Sequence, residues 1–245
     1  MSAGGDDERR RAELVTALGA VRARIAAACA DAGRDPSSVT LVAVSKTRPA
    51  SDIATLARIG VTDVGESKDQ EARAKIAELA GPPYPPVELR WHLVGRLQTN
   101  KARSVVSYAH AVHSVDRRKL IRALADAAVA ESRPTPLDVF VQVSLDGDPD
   151  RGGVPAAGVA ELADAVAERP QLRLRGVMAV PPLGADPDSA FARLADVSHA
   201  LRAAHPKADA ISAGMSEDLE AAVRHGSTHV RVGSALLGRR SPVVG

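Results

Sequence analysis

The sequence predicts an α/β fold: a single closed (β/α)8 barrel of the TIM type with an extra helix at its N-terminus. Eight short apolar runs alternate with alanine-rich segments of helical periodicity, a pattern typical of parallel strands joined by right-handed helical crossovers. The length of 245 residues is close to the ~250 that such barrels usually have. An open doubly wound sheet is the alternative, but no G-x-G-x-x-G follows the first strand. We expect one domain over residues 1–245, with residues 1–7 disordered.

The predicted elements begin with a charged helix from Glu8 to Ala32, which Gly33 closes. Its apolar residues recur at helical spacing from Leu14 to Ile25. Eight strands follow, and they read LVAVSK, VTDVGES, LRWHLVG, AHAVHSV, DVFVQVSL, LRGVMAV, ADAISAG and HVRVGS. Helices between them are predicted over 51–59, 68–79, 117–130, 156–168, 189–204 and 217–225.

The composition excludes several classes of protein. The 32 basic and 30 acidic side chains nearly balance, and aromatic residues make up only 2%, which argues against a nucleic-acid partner. The single cysteine, Cys29, rules out an internal disulfide and fits a reducing compartment. No apolar stretch approaches the ~18 residues of a membrane span, and the N-terminus lacks the apolar core of a secretory signal. We expect a cytoplasmic protein with no membrane partner, and the seven histidines show no metal-ligand spacing.

Candidate site residues lie mainly at the C-terminal ends of the predicted strands, where (β/α)8 barrels carry their chemistry. The set comprises Lys46, Ser67, His92, Met178, Ser212, Met215, Ser216, Arg231, Gly233 and Ser234. Barrels also need polar caps at this end for stability, so position alone does not distinguish a binding site from a polar cap.

Lys46 ends the apolar run LVAVSK, which predicts a lysine at the end of a buried strand. Burial disfavours the charged ammonium and makes the amine more nucleophilic, as a Schiff-base lysine requires. The alternative is a strand-end lysine whose head group returns to water. For a lone lysine the second interpretation is favoured, so the rest of the site has to decide.

The segments after strands seven and eight have the residue types of a phosphate cradle. In SAGMSED, Gly214 permits unusual backbone angles and Ser216 precedes a predicted helix. In HVRVGS, Arg231 lies between two valines and needs an anion or an acceptor, while Gly233 and Ser234 offer N–H groups and a hydroxyl before a short helix. Barrels often bind phosphate with these two loops. The alternatives are a plain N-cap at Ser216 and a tight glycine turn beside a structural arginine.

A lysine after strand one and a phosphate cradle after strands seven and eight together suggest pyridoxal 5'-phosphate (PLP). This cofactor needs an amine partner for its aldehyde, a phosphate site, and a group facing its pyridine nitrogen. Arg231 suits the last role, and because a guanidinium donates hydrogen bonds but accepts none, it leaves the ring nitrogen unprotonated. A cofactor in that state is a weak electron sink, which argues against demanding carbanion chemistry.

Four stretches are longer and more specific than single motifs: AVSKTRPASDI, WHLVGRLQTNKAR, VHSVD and GMSEDLEAAVRHGSTHVRVGSALLGRR. In them, and over residues 39–239 as a whole, the chain resembles the pyridoxal phosphate homeostasis protein family. The resemblance implies the alanine-racemase-like barrel of fold-type III PLP proteins, without the racemase's second domain. It implies PLP on Lys46, phosphate contacts from Ser216, Gly233 and Ser234, and Arg231 near the pyridine nitrogen. After strand two the family usually has G-E-N, whereas this chain has Gly65, Glu66 and Ser67. The serine hydroxyl keeps one hydrogen-bonding group in place of the asparagine amide, but its reach is shorter.

The resemblance also implies a function: the protein would be a carrier or regulator of PLP and amino-acid homeostasis without catalytic turnover. Its partners would be PLP-dependent apo-enzymes. An amino-acid racemase is the alternative, but it needs a second base opposite Lys46. Tyr84 and Tyr108 both precede strands and so fall at the wrong end of the barrel. A barrel that binds another phosphorylated metabolite is a third interpretation. Loss of the racemase's second domain removes its dimer contact, which predicts a monomer.

Two histidines each have a structural interpretation as well as a functional one. His92 is either a proton carrier or a hydrogen-bonded core histidine. His113 lies beside Ser114 and Asp116, but no G-x-S-x-G elbow supports a catalytic triad, so we discount one.

Overall fold

The eight predicted strands close into one parallel barrel. The computed structural model describes residues 3–238, and within them the strands pair in sequence order, with the eighth returning to the first. The strands are β1 (Thr40–Val44), β2 (Asp63–Glu66), β3 (Arg90–Leu93), β4 (Ala109–Val115), β5 (Leu137–Gln142), β6 (Leu172–Met178), β7 (Ala210–Ser212) and β8 (His229–Val232). Each strand overlaps its predicted run, so the (β/α)8 barrel is confirmed.

Helices follow the strands around the outside of the barrel. They are α1 (Ala3–Asp31), α2 (Ala50–Arg58), α3 (Asp69–Leu79), α4 (Ala102–Val106), α5 (Arg118–Ala130), α6 (Val159–Ala167), α7 (Pro187–Ala204), α8 (Leu219–Arg224) and α9 (Ser234–Leu237). The prediction missed α4, whose five residues carry less than two turns of periodic pattern. It also started α8 too early, because the N-cap is Asp218 rather than Ser216. None of the described helices is long and apolar enough to cross a membrane.

The N-terminal helix α1 packs across the outside of the barrel where β8 meets β1. Its apolar face joins the outward valines of β8 in a buried cluster that includes Leu14, Leu18, Val21, Ile25, Val230 and Val232. Because α1 begins at Ala3, the disorder expected for residues 1–7 is wrong for residues 3–7, which are helical. Residues 1–2 and 239–245 lie outside the described part of the chain.

The interior of the barrel contains buried polar side chains, although barrels of this type are usually filled by branched apolar ones. The buried polar or charged residues of the inward face include Asp63, His92, His113, Ser212 and Arg231. The placement is clear because His113 on β4 hydrogen bonds to Ser212 on β7, and only the interior connects these non-adjacent strands. Buried polar groups require hydrogen-bond partners, so this interior has to satisfy its own donors and acceptors.

A glycine allows β6 and β7 to approach each other. Gly176 pairs with Ala210 and has a φ of 150°. A Cβ at this position would lie 1.8 Å from the Ala210 carbonyl oxygen. Any side chain here would push the two strands apart, so this part of the barrel depends on glycine.

Candidate functional site

Lys46 lies in the turn after β1, at the C-terminal end of the barrel, as predicted. Its side chain is exposed, so the burial expected from the run LVAVSK is wrong. The buried part of that run ends at Ser45, which is 0% exposed. The end of β8 lies beside this turn, since Ala43 pairs with Val232. The lysine therefore stands at the mouth of the barrel, next to the segment that follows β8.

A buried ion cluster lies directly behind this turn. Lys75 of α3 donates hydrogen bonds from Nζ to the Ser45 carbonyl oxygen (2.7 Å), to Glu66 Oε1 (2.7 Å) and to Glu71 Oε1 (2.9 Å). We call Lys75, Glu66 and Glu71 the turn brace. It connects helix α3 to the backbone of the residue that precedes the candidate lysine.

The turn brace also holds the residue that follows the lysine. Thr47 has a φ of 63°, which is an unfavourable backbone conformation for a β-branched residue. Its N–H donates a hydrogen bond to Glu71 Oε1. Since Lys75 binds the carbonyl of Ser45 and Glu71 binds the amide of Thr47, the backbone on both sides of Lys46 is held.

Glu66 is the buried carboxylate of the brace. It is 1% exposed, its Oε1 also accepts from Ser45 Oγ at 2.6 Å, and its Oε2 has no hydrogen-bond partner within residues 3–238. Burial raises the pKa of Glu66, and the hydrogen bonds from Lys75 and Ser45 oppose that rise. Sequence reasoning missed Lys75, although a signal existed: Ala72, Lys75 and Leu79 share one buried face of α3.

The loop after β7 folds back onto β8. Gly214 has a φ of 91°, and a Cβ there would lie 2.6 Å from the Ala222 Cβ. The Gly214 carbonyl oxygen accepts a hydrogen bond from the Arg231 N–H at 2.8 Å. Ser216 Oγ accepts from the Ala235 N–H at 3.1 Å instead of capping α8. This bond joins the two loops that the sequence analysis singled out.

Gly233 and Ser234 stand where β8 ends beside β1. A Cβ on Gly233 would lie 3.3 Å from the Val44 carbonyl oxygen, so the two backbones nearly touch just before Lys46. Ser234 is exposed and begins α9. The N-terminus of α9 and the hydroxyls of Ser216 and Ser234 therefore lie on one side of the mouth. This set of donors fits a phosphate group.

Arg231 is a buried cation inside the barrel. It is 5% exposed and donates hydrogen bonds to the Ser212 carbonyl oxygen (2.7 Å), to Ser212 Oγ (2.8 Å) and to the Ala179 carbonyl oxygen (3.0 Å). Burial lowers its pKa to about 10, and the charge of Asp218 opposes that shift. The guanidinium thus stays charged at neutral pH, and its three acceptors are neutral oxygens. A donor of this kind fits the unprotonated nitrogen of a pyridine ring.

Ser67 follows β2, and a glycine determines where it sits. It lines a cavity of about 680 Å³ with Lys68 and Arg96 among other residues. A Cβ on Gly95 would lie 2.2 Å from the Ser67 carbonyl oxygen and 2.8 Å from its Cα. The loops after β2 and β3 can therefore touch only because residue 95 has no side chain.

We expect Gly95→Ala to destabilise the protein by about 1–3 kcal/mol, the usual result of forcing a methyl group into a packed site. The added Cβ meets backbone atoms, which cannot move aside as a side chain can. Urea denaturation followed by circular dichroism measures the change. Gly81→Ala is the control, since a Cβ at Gly81 meets nothing within 4 Å. Equal stability of the two variants would contradict this account of the contact.

Two of the predicted site residues lie in the core below the mouth. His92 is 2% exposed, with Nε2 hydrogen bonded to Asp63 (2.9 Å) and Nδ1 to His113 (2.8 Å). Because both ring nitrogens are engaged within the protein, the structure favours the hydrogen-bonded core histidine over the proton carrier. Met178 is 1% exposed and packs with Phe140 in an inner apolar cluster. Both residues support the site from beneath.

The two tyrosines lie in the outer layer. Tyr84 and Tyr108 pack against a cluster beneath α2 and α3 that consists of Ala50, Ile53, Ala54, Val64, Leu79 and Trp91. This position agrees with the expectation that neither tyrosine stands opposite the candidate lysine.

Comparison with known proteins points to one family. Residues 17–241 match the family model described as alanine racemase, N-terminal domain. The chain is 48% identical over 243 residues to the pyridoxal phosphate homeostasis protein of Mycobacterium tuberculosis, with 94% of each chain covered. It is 40% identical over 230 residues to the Escherichia coli protein of that name, covering 91% of this chain and 95% of the other. PipY of Synechococcus elongatus, solved with PLP bound, has a TM-score of 0.75 at 34% identity, covering 87% of this chain and 100% of PipY.

Proposed function

Because the chain belongs to the family of pyridoxal phosphate homeostasis proteins, built on the barrel of the alanine racemase N-terminal domain, we propose that it binds PLP and acts in the homeostasis of PLP and amino acids. It does so as a non-catalytic carrier or regulator that passes PLP to apo-enzymes. We assign this role to a single domain over residues 1–245 that works as a monomer in the cytoplasm.

The proposed cofactor site is the mouth formed by β1, β7 and β8. Lys46 holds PLP as a Schiff base, and the donors of Ser216, Gly233 and Ser234 bind its phosphate. Arg231 donates a hydrogen bond to the pyridine nitrogen. The observation that carries the proposal is the Ser216–Ala235 hydrogen bond, because it joins the two phosphate-type loops at the strand end that neighbours the lysine.

A carrier is favoured over a racemase by what the residues around the site can do. PLP, when bound, supplies an aldehyde and an electron-withdrawing ring. Arg231 donates to the ring nitrogen but cannot hand it a proton at neutral pH, since its pKa is lowered only to about 10 by burial. Both tyrosines pack in the outer layer, where neither serves as the second base that racemisation requires. The site therefore holds the cofactor without the groups for two-sided proton transfer.

The proposal predicts that purified protein titrated with PLP gains a visible absorbance band that borohydride removes, leaving a pyridoxyl group on Lys46. Lys46→Ala is expected to lose the band and the adduct while remaining folded, since the Lys46 side chain is exposed. Lys119→Ala is the control, because it removes an exposed lysine of α5. Absorbance titration and peptide mass spectrometry are the measurements.

A wild-type protein that stays colourless at saturating PLP would refute the cofactor assignment. An unchanged band in Lys46→Ala would refute the choice of lysine. Steady formation of D-alanine or D-serine from the L-isomers, followed by chiral chromatography, would replace the carrier with the racemase.

A further inference from the structure

A continuous row of hydrogen bonds crosses the interior of the barrel from one end to the other. Arg231 Nη1 donates to Ser212 Oγ (2.8 Å), Ser212 Oγ contacts His113 Nδ1 (2.8 Å), His113 Nε2 contacts His92 Nδ1 (2.8 Å), and His92 Nε2 contacts Asp63 Oδ1 (2.9 Å). We call these five residues the interior relay. All five are 5% exposed or less, so water does not replace these bonds.

The carboxylate end fixes the direction of the row. Burial opposes ionisation of Asp63, but hydrogen bonds from His92, Arg90 and Thr62 outweigh it and hold the pKa of Asp63 below its usual range. An ionised carboxylate only accepts, so His92 donates from Nε2. In a neutral ring Nδ1 then accepts, and His113 donates to it from its own Nε2.

The guanidinium end fixes the same direction independently. Arg231 only donates, so Ser212 Oγ accepts from it and its own proton needs another acceptor. The remaining partner of this hydroxyl is His113 Nδ1. His113 then donates from Nε2, which is the tautomer that the opposite end requires. Two ends with fixed chemistry thus agree on one proton arrangement.

We propose that the interior relay positions Arg231 for the cofactor, with His92 and His113 both held as neutral Nε2–H tautomers by Asp63. The Ser212 hydroxyl is turned so that its lone pair faces the guanidinium. His92, His113 and Asp63 are positioning residues that act through Ser212, and they touch no ligand themselves. The assignment of Arg231 to the pyridine nitrogen rests on the function proposed above.

The packing around the relay holds its rings in place. His113 stacks on Phe140 with ring centroids 4.4 Å apart and planes 22° apart, which fixes the ring that sits at the centre of the row. Arg90 forms a two-point contact with Asp63 through Nε (2.7 Å) and Nη2 (2.6 Å). The carboxylate is therefore anchored at the far end of the barrel.

The first test reads the tautomers directly in the protein without added PLP. Long-range ¹H–¹⁵N spectra at about pH 7 distinguish the two neutral forms of histidine from the imidazolium. We expect His92 and His113 to be neutral and protonated at Nε2. A protonated Nδ1 in either ring, whether in the other tautomer or in the imidazolium, would overturn the proposal.

The second test reverses one end of the row. In Asp63→Asn the new amide can donate to His92 Nε2, which permits the opposite proton arrangement. Because Arg231 still favours the original arrangement from the opposite end, we expect the Nδ1–H tautomer to appear in a fraction of the molecules, in His92 and His113 together. A purely structural role for Asp63 gives no reason for His113 to follow His92, so an Nδ1–H tautomer in His92 alone would count against the relay.

The third test uses a smaller change and adds the cofactor. Ser212→Ala removes an acceptor of Arg231, and the dissociation constant for PLP is expected to rise about tenfold, as for the loss of one hydrogen bond to a charged group. Ser212→Thr keeps the hydroxyl and is expected to restore most of the affinity. His199→Gln replaces an exposed histidine of α7 and should bind as the wild type does.

The outcomes separate the two proposals. If the wild type gives no spectral change with PLP, the proposed function fails, while the tautomer spectra still decide the proton arrangement. If the wild type binds PLP and Ser212→Ala binds equally tightly, the relay has no role in positioning and only the proposed function stands.

Discussion

Replacing Lys75 with methionine is expected to lower the free energy of unfolding by about 3–5 kcal/mol, the usual effect of removing one partner of a buried ion pair. The side chains of Lys75 and Glu66 are 8% and 1% exposed, so methionine fills the space but leaves the carboxylate without its cation. Glu66 already has one oxygen without a hydrogen-bond partner in the described chain. The variant therefore strands a buried charge rather than simply deleting a contact.

Urea denaturation at neutral pH measures this loss of stability. Two further variants show whether it comes from the stranded charge. Lys119→Met removes an exposed lysine of α5 and should change stability by no more than about 0.5 kcal/mol. Adding Glu66→Leu to Lys75→Met removes the stranded charge and should recover much of the stability. A loss below about 1 kcal/mol in the single variant would show that the turn brace does not hold α3 to the barrel.

The same variant tests whether the brace positions the candidate lysine. Lys75 Nζ binds the Ser45 carbonyl oxygen, so methionine releases the backbone just before Lys46. We expect folded Lys75→Met to bind PLP more weakly than Lys119→Met in the absorbance titration. Equal affinity of the two variants for PLP would show that the turn brace stabilises the protein but does not position Lys46 for binding.

The fold was predictable because its signals are local. Each strand is a short apolar run and each longer helix has a periodic face, so neighbouring residues in the sequence carry the pattern. Helix α4 was not predicted because its five residues are too few to show a helical period in the apolar positions. The start of α8 was misplaced because Ser216 and Asp218 are both good N-cap residues, and only the contact of Ser216 with Ala235 decides between them.

The candidate site was predictable only in part, because position along a strand does not determine the contacts of a side chain. The lysine at the end of β1 was found, but the run LVAVSK suggested burial that the turn after Ser45 removes. The buried lysine of this region is Lys75, which lies on the helix behind the turn. Its inward face was visible in the spacing on α3, whereas its carboxylate partners come from two different elements.

The interior relay was beyond sequence reasoning for a geometric reason. Its members come from five strands, and His113 and Ser212 are 99 residues apart in the chain. Their contact depends on which strands face each other across the closed barrel. The sequence placed His92 among the strand-end residues and Arg231 between two valines, but no local pattern links either residue to Asp63.

Acidification is expected to destabilise the protein from about pH 6.5 downwards, because the barrel buries neutral histidines. Burial lowers the pKa of His113 well below its usual range and that of His229 to about 3. Above the unfolded pKa of about 6.5, neither state binds a proton and these groups make no contribution. Between the unfolded and folded pKa values only the unfolded chain takes up the proton, so stability falls as the pH falls.

Each histidine of this kind contributes a slope of about 1.4 kcal/mol per pH unit. Glu66 works in the opposite direction, since burial raises its pKa and the folded state then takes up a proton before the unfolded state does. Burial also lowers the pKa of His110, so the three histidines outweigh this one carboxyl and leave a net loss of stability on acidification. Asp63 adds to the loss only at lower pH, because burial is outweighed there by hydrogen bonds that hold its pKa below the usual range.

Urea denaturation at several values from about pH 7 to about pH 5 measures the slope for the wild type and for His113→Asn. The variant is expected to be less stable at neutral pH, since it breaks the interior relay, but to have a slope smaller by about 1.4 kcal/mol per pH unit. The slope is the decisive quantity, because a packing defect lowers stability equally at every pH, whereas loss of a buried neutral histidine removes one proton from the unfolding reaction. An unchanged slope in His113→Asn would mean that His113 is already protonated inside the barrel, and the proton arrangement derived for the relay would fail with it.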